Sequence, residues 1–474
     1  MNHSLPSSIP VSPRLPQELI DEIISHLSDD QASLTSLQFV SKACLDTARH
    51  YALAKFTVTL HDSSSYETFA EDVTSQYSHL ARYISYLTII GTDYFFGETD
   101  QEDLTPTHVL SPRIIPDSLL KLLSKLTSLT VSRVWLAQYD VVANLNVYAD
   151  DAFGQYRKPS FVVPLKKLCL KDVSILNPVD FTFAEIIRKF PCSELHVEGI
   201  NRDFSVQDPY PSHINTVTPG SALTVFPTTL IMDGCMLRAP YVDLLQRITS
   251  SEKLVSLELF DLADNSAIQG LGSYLNLAHA SLTRFYIREW VAAMQESKHA
   301  ALFRVSSKLT INYPILAEDD MWEQLHLSSF VNLREVSITV PVNVSSTTHT
   351  TFIWNSFYDF IQHLPTKSIH SLQIILEPDN PFLGSHMGVL GHIPEQFRIT
   401  LDTLFKRFLP TLKRCTLVWV YHIGREEPMD FNHISSGSSS PERYLDEIRS
   451  LLPSLDAAGV LQSRRVDVPV VEVS

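Results

Sequence analysis

A short string of the form apolar-x-apolar-x-x-apolar recurs along most of this chain and restricts what it can fold into. Clear copies begin at Leu129, Leu168, Leu195, Leu230 and Leu257. Weaker copies begin at Leu87, Phe285, Leu309, Val336, Leu372 and Cys415. Alternation with a period of two is typical of a β-strand that buries one face. The last apolar residue of the string predicts that the chain then turns back towards the core.

Segments with helical periodicity lie between these strings. Apolar residues spaced by three, four or seven positions precede the copies at Leu129, Leu195, Leu257, Leu372 and Cys415. A helix followed by a strand, repeated with sequence neighbours packed together, favours a stacked α/β solenoid. The string resembles the strand half of a leucine-rich repeat. The spacing is irregular, from about 24 to about 43 residues between copies, so an ordinary doubly wound α/β domain stays open as the alternative.

Residues 13–57 have a different, helical pattern. Pro16 suits the first turn of a helix, where a missing N–H costs nothing. Leu19, Ile23 and Leu27 then repeat at every fourth position and form one apolar stripe. Two shorter helical patterns follow, over residues 34–40 and 43–51. The segment therefore predicts three helices.

So short a segment has more apolar side chains than it can enclose, because small domains leave a large share of their surface exposed. Exposed leucine and isoleucine are therefore expected between Leu15 and Leu27. An exposed surface of this kind usually marks a binding site for a partner. The alternative is that the three helices pack against the rest of the chain.

The segment resembles an F-box. The residues that carry the resemblance are Leu15-Pro16, Glu18-Leu19, Ile23-Ile24, Leu27, Leu34, Leu37 and Val40-Ser41-Lys42. Their order and spacing match the family through roughly residues 14–52, and the whole layout is similar to the F-box proteins of mushroom-forming fungi. One departure is Cys44, which stands where the family often has tryptophan or another aromatic residue.

This resemblance implies a substrate-recognition adaptor of an SCF-type, cullin-based E3 ubiquitin ligase. In that family the F-box docks onto a small Skp-type adaptor, which joins it to the cullin scaffold, and the downstream domain holds a protein substrate. The residues expected to contact the adaptor are Leu15, Pro16, Leu19, Ile23, Ile24, Leu27, Leu34, Leu37 and Val40. The alternative is a protein-binding scaffold whose F-box-like module never meets a ligase.

Charge and cysteine content exclude several other classes of function. The formal net charge is −16, and an acidic chain does not gain the counterion release that drives nucleic-acid binding. The five cysteines are widely spaced and form no CxxC pair, which argues against a disulfide framework or structural zinc. No signal peptide and no uncharged stretch that could form a membrane helix is evident. We expect a cytoplasmic or nuclear protein with no nucleic-acid or membrane partner.

Catalytic motifs are also missing from the sequence. It contains no phosphate-binding GxxxxGK[ST] loop, no HExxH and no GxSxG. We therefore expect no enzymatic activity, metal or cofactor, although a hydrolase or transferase hidden in the α/β part remains a competing hypothesis. Aromatic residues at or after the predicted strands are candidate substrate-binding anchors, unless they are core residues. They are Trp135, Tyr286, Trp290 and Trp419.

The expected fold class is α+β. We predict a disordered tail over residues 1–12, an F-box-like three-helix module over 13–57, and an irregular leucine-rich-repeat-like α/β solenoid over 58–474.

Overall fold

The computed structural model describes part of the chain in detail. These are residues 15–60, 63–91, 109–110, 117–136, 162–175, 186–199, 201–202, 225–233, 242, 245–246, 249–260, 265–288, 322–342, 347–378, 395–423, 446 and 449–469. The predicted tail 1–12, the string at Leu309 and the aromatic residue Trp290 lie outside the described residues.

Three helices open the described chain: α1 (Gln17–Ser25), α2 (Gln31–Leu37) and α3 (Lys42–Ala54). Asp30 caps α2 by accepting a hydrogen bond from the Ser33 amide at 3.0 Å, and Ser41 caps α3 by accepting one from the Cys44 amide at 3.3 Å. Their shared core consists of Ile24, Leu34, Ala48 and Ala52. Helix α3 ends at Ala54 and the next residue begins a strand, so the helical segment is shorter than the predicted 13–57.

Twelve strands of the described chain form one parallel sheet, in the order in which they occur along the chain. They are β1 (Lys55–Leu60), β2 (Tyr86–Gly91), β4 (Ser128–Ser132), β6 (Leu165–Lys171), β8 (Cys192–Glu198), β10 (Thr229–Asp233), β11 (Ser256–Phe260), β12 (Arg284–Ile287), β13 (Glu335–Val342), β14 (Ser371–Pro378), β15 (Arg414–Ile423) and β16 (Leu461–Pro469). A second, small parallel sheet consists of β3 (Val109–Leu110), β5 (Trp135–Leu136), β7 (Ser174–Ile175) and β9 (Asn201–Arg202).

The register of the large sheet aligns the sequence strings. Their first residues pair across neighbouring strands in an unbroken row: Leu87, Leu129, Leu168, Leu195, Leu230, Leu257, Phe285, Val336, Leu372 and Cys415. The prediction that the five clear copies are parallel neighbours in one sheet is confirmed. A doubly wound sheet reverses its strand order at a switch point, whereas these strands keep the order of the chain.

The turn after the strand is also shared between copies. Arg133, Asp172 and Gly199 directly follow β4, β6 and β8. Their φ angles are all positive, at 54°, 51° and 62° respectively. The next residues, Val134 and Val173, are fully buried. The prediction that the last apolar residue of the string turns inward is therefore confirmed in the copies that begin at Leu129 and Leu168.

Helices precede several of the strands and share their core. They are α4 (Ser63–Ser75), α5 (Ser78–Ala81), α6 (Asp117–Leu122), α7 (Asn265–Leu275), α8 (Thr347–His363), α9 (Glu395–Lys406) and α10 (Pro453–Ala457), together with 3₁₀ turns at Ser251–Lys253, Glu323–Leu325 and Leu327–Ser329. The helical patterns predicted before Leu129, Leu372 and Cys415 correspond to α6, α8 and α9. One continuous apolar core runs from Val58 to Leu455. The fold is α+β, and none of the helices within the described ranges is long and apolar enough to cross a bilayer.

Candidate functional site

Two surfaces of the molecule are candidates for function. The first is the module surface, which we define as the exposed apolar side chains Leu15, Leu19, Ile23, Phe39 and Val40 of the three-helix segment. The second is the open face, which we define as the side of the large sheet that carries the residues alternating with the buried string positions. The two surfaces have opposite chemistry, the first apolar and the second mostly polar and charged.

The first helix and the residues just before it leave their predicted apolar side chains in solvent. Leu15 is 59% exposed, Leu19 45% and Ile23 54%. The prediction of exposed leucine and isoleucine between Leu15 and Leu27 is therefore confirmed. Exposed groups of this size gain free energy when a partner covers them, by about 25 cal/mol for each Å² of apolar area removed from water.

Phe39 and Val40 add to the module surface, with 85% and 67% of their area exposed. The Gln17 amide donates a hydrogen bond to the Ala43 carbonyl at 2.9 Å, and the Thr47 hydroxyl donates to the Asp21 carboxylate. These contacts align α1 and α3 in the same direction, so the start of α1 lies at the end of the module that includes Val40. Sequence reasoning missed Phe39, because a phenylalanine in a helical pattern is more often buried.

The remaining residues that were expected to contact an adaptor lie at different depths. Ile24 and Leu34 are 1% and 0% exposed and form the centre of the module core. Leu27 and Leu37 are half-buried and pack against that core, while Pro16 is exposed. Ile24 and Leu34 therefore hold the helices together rather than face solvent in the free chain.

The module is joined to the sheet without an intervening turn. The last residue of α3, Ala54, accepts a hydrogen bond from the Ser85 amide at 2.9 Å, directly before β2. The buried Tyr83 donates from its hydroxyl to the Asp46 carboxylate of α3 at 2.6 Å. Arg82 donates to the same tyrosine hydroxyl at 2.7 Å. These bonds connect α3 to the loop before β2 and restrain the module relative to the sheet.

Ion pairs cross the open face between neighbouring strands. Lys167 on β6 lies 2.6 Å from Glu194 on β8, and Lys171 lies 3.2 Å from Glu198. Further along the sheet, Arg288 contacts Glu258 of β11 at 2.5 Å. The partners are separated by about 27 to 30 residues in sequence, so only the register of the strands brings them together.

Among the predicted aromatic anchors, Tyr286 has a described side chain. It lies half-buried on the open face, and its hydroxyl donates to Glu335 of β13 at 3.1 Å. Burial raises the pKa of Tyr286, and the negative charge of Glu335 raises it further, so the phenol stays a hydrogen-bond donor. Trp135 and Trp419 lie on β5 and β15, but their side chains are outside the described set, as is Trp290.

One group on the open face has the residue types of a nucleophilic site. Cys169 pairs in register with His196, whose Nε2 lies 2.9 Å from Glu198. Burial raises the pKa of the Cys169 thiol and lowers the pKa of the His196 imidazole. Near neutral pH both groups are therefore uncharged, whereas a catalytic cysteine needs a thiolate. The described residues also contain no group of three or more potential metal ligands.

Comparison with known proteins gives no assignment. No family model matches the chain, and no curated protein matches it. The function proposed below therefore depends on the residues, the geometry and the resemblance of the N-terminal segment.

Proposed function

We propose that this chain is the substrate-recognition subunit of an SCF-type ubiquitin ligase. The module surface binds a Skp-type adaptor, the adaptor joins it to a cullin scaffold, and the sheet array holds a protein substrate. The observation that carries the proposal is the set of exposed leucine, isoleucine and phenylalanine side chains on a small helical module fixed to a large folded array.

The F-box interpretation is supported because several apolar residues of the F-box-like sequence string are exposed to solvent. The F-box-like string falls on three short helices, and Leu15, Leu19 and Ile23 from that string are exposed. A core of four buried residues does not require these additional apolar groups. Clustered exposed apolar residues are the usual mark of a protein-binding surface.

A leucine-rich-repeat-like solenoid is our proposal for the array. The chain-order parallel sheet supports it, and so does a hydrogen bond that recurs at the start of the strands. Hydroxyl groups of Thr127, Thr228 and Thr283 each donate to a backbone carbonyl at the start of the neighbouring strand or directly before it, at 3.0–3.1 Å. Recurrence of one side-chain contact at equivalent positions is what stacked repeats produce.

The rigid join between module and array supports the adaptor role. A substrate receptor has to hold its substrate at a fixed position relative to the ligase, because ubiquitin transfer depends on proximity and orientation. The Tyr83–Asp46 hydrogen bond and the direct passage from α3 to β1 restrain these two parts. The open face then lies at a constant position relative to the module surface.

Binding of the full chain to a purified Skp-type adaptor tests this proposal. Truncating a central interface anchor commonly costs about 2 kcal/mol or more, which is roughly a thirtyfold loss of affinity. The double variant Leu15→Ala with Pro16→Ala should therefore abolish co-purification. The matched control is Ile399→Ala, which removes an apolar side chain that is 72% exposed on α9 and should bind like the wild type. Binding by the double variant within threefold of wild type, with unchanged far-UV circular dichroism, contradicts the proposal.

The competing function is a protein-binding scaffold that never joins a ligase. Cys44 favours it, because this half-buried thiol stands where the F-box family often has a larger aromatic side chain. A purified adaptor–cullin pair separates the two functions. The ligase proposal predicts a ternary complex with this chain, and the scaffold predicts none.

A further inference from the structure

The large sheet ends at β16, the last of its twelve strands. All nine residues of β16 pair with β15, and among the described residues no strand lies on its other side. An edge strand presents unpaired N–H and C=O groups, which can pair with a strand of another chain. Since β1 and the module lie at the opposite edge of the sheet, the edge of β16 is separate from the module surface.

The hydrogen bonding between β15 and β16 determines which backbone groups of β16 point outward. The Cys415 amide donates to the Val460 carbonyl at 2.8 Å, and Cys415 stands opposite Leu461 in the register. The backbone groups of successive residues in a strand point to opposite sides. The even-numbered residues of β16 therefore bond to β15, and the odd-numbered residues direct their N–H and C=O groups away from the sheet. These are Leu461, Ser463, Arg465 and Asp467, together with Pro469, which has a carbonyl but no N–H.

Charged residues limit which strands this edge can accept. Arg464 and Arg465 are followed by Asp467, and charges on an edge strand discourage pairing with most other strands. Like charges directly opposite each other destabilise a strand pair, whereas opposite charges stabilise it. A strand that fits therefore has an acidic residue opposite Arg465 and a basic residue opposite Asp467.

The β16 strand of a second copy meets this requirement. When two copies lie antiparallel about a two-fold axis at Val466, Arg465 of each copy stands opposite Asp467 of the other. Both residues direct their backbone groups outward, so each opposed pair also exchanges its N–H···O=C hydrogen bonds. The Ser463 amide then stands opposite the Pro469 carbonyl, and this contact needs no N–H from proline. Moving the axis one residue earlier would instead oppose the two copies of Arg465.

The side chains on the open face of β16 are compatible with this register. Gln462 and Arg464 are exposed, and Val466 is half-buried in the single chain. At the axis the two copies of Val466 form a non-hydrogen-bonded pair, in which the α-carbons are about 4.5 Å apart. Each valine covers the other, which removes apolar area from water. The centre of the contact is therefore apolar, and the opposite charges lie on either side of it.

We propose that β16 binds the β16 strand of a second copy of this chain, so that two sheets join edge to edge in a two-fold dimer. The backbone groups of the edge supply the hydrogen bonds, and the reciprocal pairs of Arg465 and Asp467 select the antiparallel register. This inference is independent of the ligase proposal, because the module lies at the other edge of the sheet.

Sedimentation equilibrium of the full chain tests the proposal. We expect the wild type to have twice the 53.5 kDa mass of the single chain. Arg465→Asp places like charges opposite each other in both pairs, so the dissociation constant of the dimer should rise by about tenfold or more. The matched control is Arg464→Asp, which makes the same change of charge at the neighbouring residue. Arg464 stands opposite Val468 in this register, so this variant should dimerise like the wild type.

A mixture of two variants tests the register itself. Asp467→Arg also places like charges opposite each other and should weaken the dimer as much as Arg465→Asp does. When these two variants are mixed, both pairs again join opposite charges, and a mixed dimer should form with an affinity within about threefold of wild type. Far-UV circular dichroism checks that each variant is folded.

A wild-type chain that keeps the mass of a single chain at every concentration up to about 100 µM overturns the inference. A dimer that Arg465→Asp leaves unchanged also overturns it, because the two copies would then meet at another surface. Equal weakening by Arg464→Asp and Arg465→Asp contradicts the proposed register, and so does a mixture of the two charge variants that stays monomeric.

Discussion

The three-helix module and the sheet array differ in how far they bury their apolar residues. The module keeps four residues in its core and exposes Leu15 just before its first helix and Leu19 and Ile23 on that helix. The array buries one row of apolar side chains across ten successive strands, and most of these residues are less than 3% exposed. The array can do this because its helices pack against that side of the sheet along its length, which creates one continuous core. The apolar residues at the start of the module are not covered in this way and stay exposed to solvent.

The largest expected effect is a difference in stability between two phenylalanine-to-alanine substitutions, one in the array and one in the module. Phe360 is fully buried and packs edge-on against Trp322 at 4.9 Å, so Phe360→Ala should lower the free energy of unfolding by about 3–5 kcal/mol. Phe39 is 85% exposed, so Phe39→Ala should change it by less than about 0.5 kcal/mol. Urea denaturation of both variants measures the difference. Equal losses would show that the module surface is packed like the core.

A smaller effect is expected at the turn that follows the strands of the array. Gly199 has a φ of 62°, and a β-carbon there would lie 2.5 Å from the Asp172 carboxylate. We expect Gly199→Ala to destabilise the array by about 2–3 kcal/mol and to leave adaptor binding unchanged. Gly459 has a φ of 68° with open space around it, so Gly459→Ala isolates the backbone cost of about 1–2 kcal/mol. Thermal unfolding of the two variants measures both losses of stability. A larger loss for Gly459→Ala than for Gly199→Ala would contradict the predicted clash between the new β-carbon and Asp172.

The smallest effect concerns the response of the module to acid. Hydrogen bonds from Thr47 and then Gln17 lower the pKa of Asp21 from its usual 3.8. Because the folded module binds this proton less readily than the unfolded chain, the stabilisation is complete above about pH 4 and is lost as the pH falls through the lowered pKa. Thr47→Val should make the protection of α1 amides less dependent on pH between 5 and 3. Hydrogen exchange with mass spectrometry measures it, with the array peptides as the internal control, and an unchanged pH profile would contradict the prediction.

The strand positions of the array were predictable because a period-two pattern specifies which residues share a face. Every described string copy begins in the same row of the sheet, from Leu87 to Cys415. The edge strands were missed. In β16 the second core position is Ser463 rather than an apolar residue, and β1 follows a helix so closely that Phe56 was included in the helical segment.

The candidate sites were harder to predict, because they depend on contacts between distant residues. Arg288 and Glu258 are 30 positions apart in the sequence, and nothing local indicates that they pair. The burial of a helical residue is likewise not evident from the sequence, since the adjacent residues Ile23 and Ile24 have the same side chain but opposite solvent exposure. The pattern predicted an apolar helix, but packing of α2 and α3 decided which isoleucine faces solvent.

These two adjacent isoleucines give the most direct test of the account. Titration calorimetry measures the binding of a purified Skp-type adaptor to the full chain with Ile23→Ala, and hydrogen exchange checks that the module stays folded. We predict roughly a thirtyfold loss of affinity with unchanged amide protection, because Ile23 is 54% exposed. Ile24→Ala, which removes a core residue that is 1% exposed, should instead lower the protection of the three helices by about 2–4 kcal/mol. Affinity of Ile23→Ala within threefold of wild type would contradict the claim that the module surface is the adaptor-binding site.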